Sequence, residues 1–174
     1  MDKRANAATF KGNPLTLVGP QLKAGDKAPD FACVNQGLEV ISVGKTPAKA
    51  RLFSVVPSLD TPVCELQTKK FDESVAALGD KVASYTVSLD LPFAQKRFCG
   101  DKSVKNMQTL SDVHNQSFGK NYGVLIEGLP IALLARSVFV VDKTGKITYA
   151  EYVKEVTDHP NYDAALNALK AVAG

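Results

Sequence analysis

Three cysteines in 174 residues are too few for a disulfide framework, so a reducing compartment is the default and any disulfide is expected to serve catalysis. The cysteines form no CxxC, which argues against paired zinc ligation and against a general dithiol oxidoreductase, and no CxxCH, which excludes covalent haem. Only His114 and His159 could complete a metal site, and neither has ligand spacing; no metal and no cofactor are expected. The net charge is +3, with Lys and Arg scattered among acids and no basic block, which argues against a nucleic-acid partner. The apolar run 131–135 ends at Arg136, far too short to span a bilayer, and no apolar run follows the first six residues, so neither a membrane segment nor a secretory signal is expected. These absences point to a cytoplasmic protein. Repeats, low-complexity segments and long linkers are also missing, so residues 1–174 are read as a single domain.

What is present alternates between strands and helices. Residues 9–11 and 15–17 flank Gly12-Asn13-Pro14 and suggest an N-terminal β-hairpin, with residues 1–20 as an extension of the domain. Short strands are expected at 31–34 and 39–43, buried ones at 52–56 and 137–141, one rich in β-branched and alternating residues at 82–88, a brief one at 108–110, and another at 147–150 after the turn 142–145. Helices are expected after Pro62 with a stop at Gly79, over 92–99 with Asp90 as cap and Gly100 as stop, over 113–122, and over 163–172. This pattern is α/β, a central sheet covered by helices on both faces.

The stretch Pro57-Ser58-Leu59-Asp60-Thr61-Pro62-Val63-Cys64 turns a buried strand into a helix. Thr61 suits the N-cap and Pro62 the first helical position, which puts Cys64 in the first turn. Free backbone N–H groups and the positive end of the helix dipole favour an anion there, so a reactive thiolate is expected. A space-filling cysteine is the plainer reading of an isolated thiol; the cap, the proline and the core strand favour the reactive one. Cys33, among apolar neighbours with no capping signal, reads as a buried structural thiol.

The residues 57–64 match PxxxTxxC, the signature of the peroxiredoxins. Asp90-Leu91-Pro92-Phe93-Ala94-Gln95-Lys96-Arg97-Phe98-Cys99-Gly100 resembles the second-cysteine segment of the bacterial thiol peroxidases, which are atypical two-cysteine peroxiredoxins. The hairpin, residues 134–138 and residues 161–166 resemble the same family, so the likeness spans nearly the whole chain. One departure lies in 126–131, where the chain reads Gly-Leu-Pro in place of a Gly-Pro order. The resemblance implies a thioredoxin-like (peroxiredoxin) three-layer α/β/α fold with a central mixed sheet and an N-terminal β-hairpin.

It also implies roles. Cys64 matches the peroxidatic cysteine and Cys99 the resolving cysteine, joined in an intramolecular disulfide during each cycle. Thr61 matches the hydroxyl that bonds thiolate and peroxide, Pro57 the residue that shields the pocket, and Arg136 the guanidinium that holds both reactants. The implied substrates are hydrogen peroxide and alkyl hydroperoxides, with thioredoxin as reductant, a homodimer as the assembly, and antioxidant defence and redox homeostasis as the role. Because Cys64 and Cys99 fall on separate helices, both helix ends are expected to unwind for the disulfide to close. A redox-responsive binding protein, whose disulfide reshapes a partner surface, is the second reading.

Overall fold

The computed structural model describes residues 1–174. A hairpin opens the chain: β1 (Lys3–Phe10) and β2 (Asn13–Val18) pair antiparallel with Phe10 opposite Asn13. The turn is therefore Lys11-Gly12, both with positive φ (49° and 81°), as a two-residue hairpin of the right-handed twist requires. The hairpin is longer than its turn signals suggest, and Asn13 and Pro14 lie inside β2. β3 (Cys33–Val34) and β4 (Val40–Ile41) are brief, and β5 (Ala50–Val55) is buried at every position.

α1 (Pro62–Val75) follows, then a 3-10 segment that turns at Gly79 (φ 51°) into β6 (Val82–Ser88). α2 (Pro92–Asp101) runs past Gly100, and the chain reverses at Ser103 in the left-handed region (φ 55°). β7 (Gln108–Ser111) precedes α3 (Ser117–Asn121). α3 is half the length its sequence pattern suggests, because Gln116 is left-handed and the Asp112 carboxylate accepts from the backbone N–H of Phe118 and Gly119 (2.9 and 2.7 Å). β8 (Leu125–Glu127), β9 (Ser137–Val141), β10 (Ile147–Tyr152) and α4 (Tyr162–Val172) complete the chain. The α4 N-cap is Asn161, whose side chain accepts from Ala164 N–H at 3.0 Å.

Seven strands form a mixed sheet in the order β10-β9-β5-β6-β7-β3-β4, with β5, β6 and β7 parallel and the other pairs antiparallel. One face packs Leu52, Val138 and Val140 against Phe71 and Val75 of α1, Phe98 of α2 and Leu166 and Leu169 of α4. The other packs Phe53, Val55, Phe139 and Val141 against Phe118, Tyr122 and the hairpin. The layers are thus helix, sheet and a mixed layer of α3 with the hairpin. β8 joins the hairpin as a three-stranded sheet, β1-β2-β8. The parallel strands β5 and β6 run toward residues 56–61 and 89–91, so the turns bearing both cysteine helices emerge at one sheet end, where open α/β sheets bind ligands.

Candidate active site

Thr61 ends the turn after β5 with extended dihedrals (φ −115°, ψ 148°), and Pro62 opens α1. No side chain caps the helix, and the N–H groups of Val63 and Cys64 have no acceptor within the protein. They remain available to an anion at this end. Cys64 is fully buried, and Arg136 Nη2 donates to its Sγ at 3.3 Å.

Arg136 arrives from just before β9 and is 2% exposed. Its Nη1 donates to Gln67 Oε1 (2.9 Å) and its Nε to the Val156 carbonyl (2.9 Å). Gln67 Nε2 in turn donates to Ser54 Oγ at 2.8 Å, which ties the guanidinium to β5. Arg136 joins no ion pair with a carboxylate. A buried charge without a counter-ion is costly. Of its three hydrogen-bond acceptors, only the Cys64 sulfur can carry compensating negative charge.

A cavity of 450 Å³ reaches Arg136, and the buried Cys64 sulfur lies behind that guanidinium's contact, outside the lining. Pro57, Thr61, Val63 and Arg136 line its inner part, and Phe10 and Leu15 of the hairpin, with Leu129 and Ile131, supply apolar wall. The loop 128–133 is folded back at its base by Ile126 N–H to Leu133 O (3.0 Å) and Ala135 N–H to Val124 O (2.7 Å), which sets its apolar residues at the rim. The Thr61 hydroxyl donates to Ser58 O (3.0 Å) and not to the sulfur, and its oxygen keeps acceptor capacity in a residue that lines the cavity. Of the expected residues, Pro57, Thr61, Cys64 and Arg136 are therefore gathered at one place.

Cys99 is elsewhere. It is half-buried on α2 and lines a separate cavity of 280 Å³ with Gln36, Val104, Met107 and Thr109. All three cysteines are free thiols. Burial pushes the Cys99 thiol up, and the charge of Asp72 adds to this, against a hydrogen bond from Gln36. Cys33 is fully buried with its S–H donating to Asp112 Oδ1 at 3.6 Å; burial first, then the Asp112 charge, pushes this thiol far up, which makes it inert. No group of three or more His, Cys, Asp or Glu side chains gathers to hold a metal ion.

The sequence reading missed Gln67, although it stands one turn after Cys64 on the buried face that also carries Phe71 and Val75, where a polar residue needs a partner. It also missed how the hairpin supports Arg136. Thr9 N–H donates to Lys154 O (2.7 Å) and Val156 N–H to Thr9 O (2.9 Å), beside the carbonyl that Arg136 grips. Glu155 fastens this pairing, accepting from Thr9 Oγ1 (3.0 Å), Gly12 N–H (2.8 Å), Thr157 N–H (3.0 Å) and Thr157 Oγ1 (2.8 Å). Those donors, led by the Gly12 and Thr157 N–H groups, hold its carboxyl at about 2, below its ordinary 4.5. The folded state binds this proton less tightly than the unfolded chain, so the contribution is complete above about pH 4.5 and drains away as pH falls toward 2. The protection factors of the Thr9 and Val156 amides, taken relative to intrinsic exchange at each pH, should therefore fall on acidification across that window. In Glu155→Gln they should already be low at pH 6 and change little with acid.

The comparisons agree with the geometry. The Redoxin family model matches residues 23–166. A thiol peroxidase of Bacillus subtilis is 52% identical over 164 residues, covering 94% of this chain and 96% of the relative. One of Listeria monocytogenes is 52% identical over 162 residues, covering 93% and 96%.

The chain belongs to the thiol peroxidases of the Redoxin family.

A peroxiredoxin-like protein from Aquifex aeolicus has a solved structure 46% identical in sequence, with TM-score 0.89 and coverage of 97% of this chain and 98% of that one. A thiol peroxidase from Chromobacterium violaceum is 19% identical with TM-score 0.84, over 94% and 95% of the two chains, and shares the fold. As a thiol peroxidase, the chain is a peroxide-reducing oxidoreductase with a thioredoxin-like, mixed-sheet fold. No helix is long and apolar enough to cross a membrane.

Proposed function

We propose that Cys64 is the peroxidatic cysteine, Cys99 the resolving cysteine, and hydrogen peroxide and alkyl hydroperoxides the substrates. The observation that carries this is the guanidinium of Arg136 at 3.3 Å from the Cys64 sulfur, at the foot of a cavity rimmed by apolar side chains. The Cys64 thiolate attacks one peroxide oxygen and the O–O bond breaks. The departing oxygen takes the electron pair and, from solvent, a proton equivalent to the one the thiol released on ionising, and leaves as water or alcohol. Cys64 is left as a sulfenic acid. The Cys99 thiol condenses with it, an S–S bond forms, and water leaves. A dithiol of the thioredoxin class returns both cysteines to thiols.

Acidifying a thiol is a weak lever by itself. Lowering a cysteine from about 8.5 to about 6 raises its thiolate fraction at pH 7 about 30-fold. At a nucleophilicity slope of about 0.45 the same shift loses about 13-fold, so the net gain is about twofold. Fast reduction must come from holding the O–O bond in line and from stabilising charge on the departing oxygen. Arg136 and the free N–H groups of Val63 and Cys64 are donors for that charge, and Thr61 Oγ, its own O–H bonded to Ser58 O, accepts a hydrogen bond from the peroxide O–H. The apolar rim of Phe10, Leu15, Leu129 and Ile131 suits an alkyl tail. Cytoplasmic location, a homodimer and a role in antioxidant defence complete the reading.

One equivalent of peroxide followed by peptide mass mapping tests the assignment. A loss of two hydrogens mapped to the Cys64 and Cys99 peptides, with Cys33 free, is expected. Cys99→Ser should consume one equivalent of peroxide, stop as a Cys64 sulfenic acid, and lose turnover with thioredoxin. Sustained thioredoxin-dependent turnover in Cys99→Ser would remove Cys99 from the cycle.

A further inference from the structure

The segment that carries Cys99 is fastened at both ends by a carboxylate bonded across to the segment of Cys64. Downstream, Asp72 lies on α1 two turns beyond Cys64 and is 4% exposed. Its Oδ1 accepts from the backbone N–H of Lys105 (3.0 Å), Asn106 (2.6 Å) and Met107 (3.0 Å), and its carbonyl accepts from Asn106 Nδ2 (3.2 Å). Upstream, Asp90 Oδ1 accepts from Ser58 Oγ (2.8 Å), and its Oδ2 from Leu59 N–H (2.9 Å) and Ser88 Oγ (2.7 Å). Its carbonyl accepts from Ser111 Oγ at 2.6 Å. Neither carboxylate joins an ion pair. Their acceptors serve the chain on either side of α2.

Between these fasteners α2 is anchored by the buried Phe98 and Gln95, while its polar ties are weak. Gln95 donates to Ser88 Oγ and Leu110 O (3.1 and 3.2 Å), but its Oε1 is buried with no partner. Apart from the packing of Phe98, the polar ties from α2 to α1 and its turn are exposed ion pairs, Arg97 with Asp60 (3.8 Å) and Lys102 with Glu65 (3.0 Å), and the Lys69 ammonium on the Lys102 carbonyl (2.6 Å). Such pairs hold weakly.

We propose that Asp72 and Asp90 are positioning residues that stay bonded while α2 unwinds, which confines the rearrangement on the Cys99 side to residues 91–104 and keeps Cys99 within reach of Cys64. This rests on the Cys64–Cys99 disulfide proposed above. The reach is sufficient. Asp72 lies eight residues along α1 from Cys64, about 12 Å at 1.5 Å per residue. Cys99 lies six residues before Lys105, about 20 Å of extended chain, and nine after Asp90, about 30 Å. A disulfide needs Cα atoms within about 7 Å. Both fasteners can therefore hold while the sulfurs meet. Without Asp72 the next fixed point is Gln108 at the start of β7, and the downstream tether grows from six residues to nine. Local concentration falls as about the −3/2 power of tether length, about twofold here.

Amide exchange on the wild-type chain, before and after one equivalent of peroxide, tests the boundaries directly. The amides of residues 95–104, bonded within α2 and its C-terminal turn, should gain exchange on oxidation, while Leu59 and Lys105–Met107 keep their protection. Lost protection at Lys105–Met107 in the disulfide form overturns the proposal, even where the mass map confirms Cys64–Cys99. A disulfide mapped to other cysteines overturns both the proposal and the reading beneath it. Rapid-mixing kinetics supply the second arm. Asp72→Ala should leave the rate of Cys64 oxidation unchanged, slow disulfide closure about twofold, and increase over-oxidation to sulfinic acid. Asp72→Asn keeps an acceptor oxygen for the three N–H groups and should restore closure, which a general loss of stability would not explain. Unchanged or faster closure in Asp72→Ala contradicts it. Should that variant fail to fold, the exchange boundaries of the wild type decide alone.

Discussion

Cys64→Ser is expected to reduce peroxide turnover to background. The substitution is almost isosteric, and a serine hydroxyl can still accept the Arg136 hydrogen bond, so the fold should persist. What disappears is the nucleophile: a serine hydroxyl stays protonated at neutral pH, and no histidine or carboxylate joins the polar contacts around Cys64 to act as its base. The oxygen also has no equivalent of the sulfenic state to pass to a second thiol. Peroxide consumption measured with excess reductant, beside a melting curve that shows the variant folded, checks this. Multiple turnovers by a folded Cys64→Ser chain would rule out the proposed nucleophile.

Arg136→Met carries the second largest effect, a fall of about 10²- to 10³-fold in the rate of peroxide reduction, the scale on which removing one transition-state donor acts. Methionine fills much of the buried space but cannot donate. The Gln67 amide oxygen and the Val156 carbonyl lose their partner, which costs about 1–3 kcal/mol of stability for each group left buried and unpaired. The kinetic signature separates this from simple weakening of the fold. Alkylation of Cys64 by iodoacetamide expels iodide without an O–O bond to break, so it should slow far less than the peroxide reaction. Arg136→Lys keeps a charge but loses the planar fork that spans Gln67, Val156 and Cys64, and should fall between the two. An equal loss toward peroxide and iodoacetamide would show that Arg136 acts on the thiolate and not on the breaking bond.

The local chemistry around Cys64 was legible because it is written in neighbouring residues. A buried strand, a threonine, a proline and a cysteine at N3 specify a strand-to-helix turn through short-range backbone rules. The same rules misplaced detail wherever a distant side chain overrode them. Gly100 looks like a stop, yet α2 continues to Asp101 and the chain turns at Ser103, because Asp72 holds Lys105–Met107 from another helix. Asp90 looks like a cap, yet its carboxylate serves Ser58, Leu59 and Ser88, and α2 starts from Leu91 without a side-chain cap. β8 has three residues and no pattern of its own; it exists because β2 offers it an edge.

By itself the sequence determined the alternation of strands and helices, the layered α/β class, and the seat of Cys64 at a helix start, since each follows from periodicity and capping over a few residues. The family resemblance pointed to Arg136 as the cation; tertiary structure alone decided that Gln67 and the Val156 carbonyl aim it at that sulfur, and that the hairpin walls the cavity. It also decided that Cys99 faces a different cavity from the residue it is proposed to join. The physical reason is range: propensity acts over one or two turns, whereas Arg136 and Cys64 meet across 72 positions only when sheet order and packing bring them together.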